Sequence, residues 1–152
     1  MQSLTIDTGM KEYLINNHAV LRFNPSDPNL YHRFFAAAPK LDVLDAELTE
    51  QLKALPEADD TARAERGLAL LTDYDHRIKA LLTEIFGGEN DFDKVLEGVN
   101  LAGTGANGKR VVQNFLDALT PILQDGAAQH LQTAAANARA EADAARAARE
   151  QA

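Results

Sequence analysis

The segment Gly103-Thr104-Gly105-Ala106-Asn107-Gly108-Lys109 carries the residues best spaced for chemistry. It satisfies both G-x-G-x-x-G and G-x-x-x-x-G-K, and a helical pattern follows it. Glycines let backbone approach a phosphate closely, a lysine reaches the terminal phosphates, and a helix start offers bare amides. The pattern fails at specific points. Arg110 stands where a magnesium-holding Ser or Thr belongs. The preceding stretch, Leu96 to Leu101, holds a glycine and lacks the continuous apolar run of a buried strand. No parallel βα framework is visible to carry such a loop. The segment therefore reads as a plain flexible loop feeding a helix, and a nucleotide-binding module is the weakest functional reading.

Other reactive types are scattered. His18, His32, His76 and His130 lie far apart. Asp73 and His76 share a helix face at i, i+3, but without a third ligand they read as a surface ion pair. Asp42, Asp45, Glu47, Glu50, Glu57, Asp59 and Asp60 form an acidic run, the usual mark of a solvated face. No Ser-His-Asp arrangement stands out. Cysteine is absent, which removes disulfides, thiol catalysis and thiolate metal sites. No catalytic, cofactor-binding or metal-binding residue is assigned, and no enzyme activity or cofactor is expected.

The 152 residues are 45% apolar, enough for one folded domain with a real core. Aromatics are only 6%, so a core of Leu, Val, Ile and Ala is expected. The formal charge of −8 repels phosphate backbones and anionic lipid, so neither nucleic acid nor membrane is expected as a partner. The N-terminus lacks a basic stretch followed by an apolar one, so no signal peptide is read, and no run is long enough to span a bilayer.

Three alternating stretches come first. Leu4 and Ile6, Tyr13 and Ile15, and Ala19, Leu21 and Phe23 give strands over about 2–7, 11–16 and 18–24. Turn signals at Asp7-Thr8-Gly9 and Asn16-Asn17 join them into a three-stranded antiparallel meander. Ser26 or Asp27 then caps a helix, with Pro28 in its first turn. Its stripe runs Leu30, Phe34, Ala37, Leu41, Leu44, Leu48, Leu52, Leu55, and Pro39 predicts a kink near Ala38. A second helix starts at Asp59, Asp60 or Thr61, carries Leu68, Leu71, Tyr74, Ile78, Leu81, Leu82 and Ile85, and ends at Gly87-Gly88. The pair reads as an antiparallel hairpin. A short helix over Asn90–Glu97 and a fourth from Asn107 or Gly108 follow, the fourth bent by Pro121. The expected fold is thus α+β: the meander packed on a helical hairpin and further helices, mostly α. Residues 1–126 form one domain. Residues 127–152, about half alanine, form a frayed helix or arm.

Several of these stretches carry a resemblance. They are Leu4-Thr5-Ile6-Asp7-Thr8-Gly9, Lys11-Glu12-Tyr13, Ile15-Asn16 and Leu21-Arg22-Phe23-Asn24-Pro25-Ser26-Asp27. Later ones are Glu84-Ile85-Phe86-Gly87, Asp93-Lys94-Val95-Leu96, Val99-Asn100-Leu101-Ala102 and Asn114-Phe115-Leu116-Asp117-Ala118-Leu119. Together they resemble the small tail-assembly chaperones of long-tailed, siphovirus-like phages and prophages of Gram-positive bacteria. The likeness covers most of residues 3–124. It departs at Pro39, at the Gly103–Gly108 insert and in the Ala-rich end. It implies a non-enzymatic protein that binds the tape-measure protein during tail morphogenesis and helps load tail-tube subunits. It also implies residence in the host cytoplasm and not in the mature virion. A structural tail or head-tail connector component is the alternative. For the gripping surface, the fourth helix around Val111, Phe115 and Leu119 is the candidate; the competing reading is that this stripe closes the core.

Overall fold

The computed structural model describes residues 1–57 and 59–150. Two strands come first, β1 (Lys11–Ile15) and β2 (Ala19–Phe23). They pair antiparallel with Tyr13 opposite Leu21 and Ile15 opposite Ala19. Asn16 and Asn17 take left-handed φ of 52° and 58°, and the His18 amide donates to the Ile15 carbonyl at 3.0 Å. Asparagine tolerates that region better than most residues, so the pair makes the hairpin turn.

The expected third strand is not formed. Residues 2–7 are exposed and pair with nothing among the described residues. The physical reason lies at the proposed turn. Thr8 and Gly9 are tied to the corner after β2: the Asn24 side chain donates to the Thr8 carbonyl, and the Ser26 amide caps Asn24 Oδ1 at 3.0 Å. The chain is held there instead of folding back along β1.

Helix α1 (Pro28–Lys53) starts under an Asp27 cap whose carboxylate accepts from the Asn29 amide at 2.9 Å. It runs unbroken through Pro39, which sits on its exposed side. There water meets the backbone group that the missing amide leaves free. Helix α2 (Asp60–Phe86) starts under Asp59, which accepts from Ala62, and ends at Gly87. The two are antiparallel: Arg33 Nε reaches the Ile85 carbonyl at 3.0 Å near one end, and Gln51 reaches the Tyr74 hydroxyl at 2.9 Å near the other. Leu30, Ala37, Leu41 and Leu48 of α1 are buried together with Tyr74, Ile78, Leu82 and Ile85 of α2.

The short helix α3 is one turn, Phe92–Val95, capped by Asp91. Helix α4 is a single 40-residue element, Val111–Glu150, with Pro121 and Gly126 inside it. It starts later than Asn107–Gly108, because the backbone there is spent on a turn. Most of its residues after Ala127 are exposed.

Few as they are, the aromatics hold the centre. Tyr13 stacks on Phe23 at 4.8 Å, and Phe23 meets Phe86 edge-on at 5.4 Å. Phe86, Phe92 and Phe115 then contact one another at 6.0–6.1 Å. This chain of rings joins β2, α2, α3 and α4. Edge-to-face rings add about 0.5–1.5 kcal/mol per pair beyond the area they bury.

Candidate functional site

Phe115 and Leu119 are buried in that core, and Val111 packs partly against it. Phe115 lies between Phe86 and Phe92 and has no face left for a partner. The fourth-helix stripe is therefore core, the competing reading of the sequence.

The Gly103–Lys109 segment is ordered by its own backbone. The Gly105 amide donates to the Lys109 carbonyl at 2.8 Å, and the Lys109 amide to Asn107 Oδ1 at 3.1 Å. The first amides of α4, which a phosphate would need, are already taken. Val111 donates to the Gly103 carbonyl at 2.9 Å and Val112 to the Leu101 carbonyl at 3.0 Å. Leu101 and Ala102, just before this segment, are fully buried, whereas most of Gly103–Lys109 lies at the surface. Arg110, the residue that spoils the phosphate motif, bolts the segment to α1. Its guanidinium donates to Asp45, to the Thr49 hydroxyl at 3.0 Å and to the Ala102 carbonyl at 2.8 Å. Asp73 pairs with Arg77 at 2.9 Å. Among the described residues no three His, Asp or Glu side chains converge as metal ligands. The acidic run from Asp42 to Asp60 is exposed.

An apolar groove of about 400 Å³ lies between the start of α1 and the middle of α4. Its walls are Tyr31, Phe34 and Phe35 on one side and Leu123, Ala127 and Leu131 on the other. Phe34 and Phe35 meet edge-on at 5.8 Å. Phe35 is 70% exposed and Leu131 68% exposed, so each lip carries a large apolar side chain in water. Single exposed apolar residues are ordinary, but two facing each other across an apolar groove mark an interaction surface. Tyr31 fixes the floor: its hydroxyl donates to the Pro25 carbonyl, and burial raises its pKa. The helices touch where α4 presents Gly126. A Cβ there would press into the Pro25 carbonyl oxygen and lie 2.6 Å from the Tyr31 hydroxyl. Glycine thus brings α4 close at one point, and beyond it the apolar walls stay apart.

A second apolar patch, with Pro39, Val43, Leu44 and Leu81, lies across the α1–α2 hairpin and is more open. No family model, curated protein or solved structure matches the chain. The groove was partly legible beforehand. Phe35 is an aromatic that falls off the buried stripe of α1, and Leu131 is the last large aliphatic residue of the chain. That they face each other was not legible, because it depends on α4 running on as one helix. No helix among the described residues is long and apolar enough to cross a membrane.

Proposed function

We propose that this protein is a phage tail-assembly chaperone that binds the tape-measure protein while the tail is built. The sequence resemblance supplies the class of activity, and the α1–α4 groove supports it. A tape measure is a long helical protein that exposes apolar side chains before it is sheathed. An amphipathic helix lays such a row into an apolar groove as i, i+3, i+4, i+7 anchors. A groove walled by Phe34, Phe35, Leu123 and Leu131 fits that mode. The net charge of −8 would keep the loaded complex from clumping. Helping to load tail-tube subunits belongs to the same proposal.

Co-expression with a tape-measure protein, followed by pull-down, tests the reading. The unmodified chain should retain the partner. Phe35→Asp and Leu131→Asp should each weaken retention at least tenfold without moving the melting temperature, since both side chains are exposed. Retention unaffected by either charge would remove the groove from the account. The absence of any complex would remove the function.

A further inference from the structure

The two edges of the β1–β2 hairpin are treated unequally. The outer edge of β2 is capped by one side chain. Asn90 Oδ1 accepts from the Arg22 amide at 2.9 Å, and Asn90 Nδ2 donates to the Arg22 carbonyl at 2.8 Å. A buried carboxamide thus imitates the next strand. Arg22 therefore points its backbone groups away from β1. Glu12 lies opposite Arg22, and antiparallel pairing alternates. The amide and carbonyl of Glu12, and by the same alternation those of Leu14, must point away from β2. Among the described residues no backbone hydrogen bond outside the hairpin engages them. An open strand edge is a template for another strand, and proteins normally cover or blunt it.

The same chain holds an unused strand. Residues 2–7 read as one, six residues against the five of β1, with Leu4 and Ile6 on a single face. Leu4 is 88% exposed and Ile6 75% exposed. The segment is kept from its own β1 by the anchor behind it. Asn24 holds the Thr8 carbonyl, and Gly9 nests so closely that a Cβ would lie 2.9 Å from Asn24 Oδ1 and 3.1 Å from Ser26 Oγ. A free edge and a spare strand that do not meet within one molecule are complementary between two.

We infer that residues 2–7 of one copy add as a third strand to the open edge of β1 in a second copy. Added there, Leu4 and Ile6 extend the core face of the sheet beside Tyr13 and Ile15. Those two are only half-buried because the flank beyond β1 is open. Reciprocal exchange closes as a dimer, and one-way donation continues as a ring or chain.

Light scattering on the full chain, on the chain lacking residues 1–7, and on Leu4→Asp/Ile6→Asp tests the inference. The full chain should form a dimer or larger species whose melting temperature rises with concentration, and both variants should be monomers that still unfold cooperatively at a concentration-independent temperature. Because cysteine is absent, cross-linking is clean. Thr5→Cys chains mixed with Leu14→Cys chains, joined by a short thiol-reactive linker, should give a covalent heterodimer. A full chain that stays monomeric at every concentration overturns the inference, as does an oligomer that survives loss of residues 1–7. Closure of the Thr5→Cys/Leu14→Cys double variant within one chain would assign the segment to its own sheet instead. Association seen only with the long helical partner present would assign the edge to that partner.

Discussion

Asn90 and Asp75 are the two buried polar residues among those described, and each replaces a piece of secondary structure. Besides bridging Arg22, Asn90 donates to the Phe86 carbonyl at 3.0 Å near the end of α2. Asn90→Ala leaves these groups unpaired in a dry site and should cost about 1–3 kcal/mol in urea unfolding. Asp75 accepts from the buried Leu101 amide at 2.7 Å and from Lys79 at 2.7 Å. Lys79 also reaches Asp93 at 2.9 Å. Asp75→Ala would strand the Leu101 amide and leave Lys79 with Asp93 alone, at a cost of about 1–3 kcal/mol. The same cluster gives a pH dependence. Burial lowers the Lys79 pKa, but its hydrogen bonds to Asp75 and Asp93 outweigh that and leave it raised. The hydrogen bond and charge of Lys79 hold Asp93 below the ordinary carboxylate range. A depressed carboxylate stabilises above its unfolded pKa and loses that contribution as pH falls through its folded value. The difference in stability between wild type and Asp93→Asn should therefore shrink on acidification below the ordinary range. It should be small throughout, because Asp93 is exposed. For Lys79 the sign reverses: its contribution is full at neutral pH and fades only as pH rises through its raised value.

Among the elements, α4 is the one whose behaviour separates local from tertiary reasoning. Gly126 lies inside it, and helix propensity alone says that Gly126→Ala gains about 1 kcal/mol. The contact with Pro25 and Tyr31 says the opposite, since the obstacle is backbone and cannot swing aside. Thermal unfolding should show the alanine variant to be the less stable. A rise in melting temperature would mean that α4 does not approach the Asn24–Ser26 corner as described. The end of α4 obeys local rules again. Residues 137–150 are exposed and rich in alanine, so ending the chain after Ala136 should lower helical circular dichroism and leave the unfolding midpoint in place. Leu131 and the groove remain in that shortened chain. Retained capture of the helical partner would show that the exposed turns are dispensable for binding.

For the molecule as a whole, capped starts and apolar stripes were readable because they are local. Asp27 and Asp59 cap where their side chains can reach the next amides. The α1 and α2 stripes recur at helical spacing whatever lies opposite. The departure of the glycine-rich motif from a phosphate-binding pattern at Arg110 is likewise local. Three matters depended on residues distant in the chain. Asn24 decides whether residues 2–7 fold back, and it lies 16 positions from the carbonyl that it holds. Asp75 and Asn100 fix the buried residues just before the glycine-rich segment through partners 26 and 29 positions away. The apolar groove exists because Gly126 lets α4 touch the corner before α1 and continue past it. Sequence by itself determined the hairpin, the helices and their oily faces, since backbone sterics and periodic burial act over a few residues, but not whether residues 2–7 join the sheet. Only the tertiary structure decided which oily face is left in water and which strand is left without a neighbour. Those outcomes turn on single close approaches between distant backbones, and no periodicity records them.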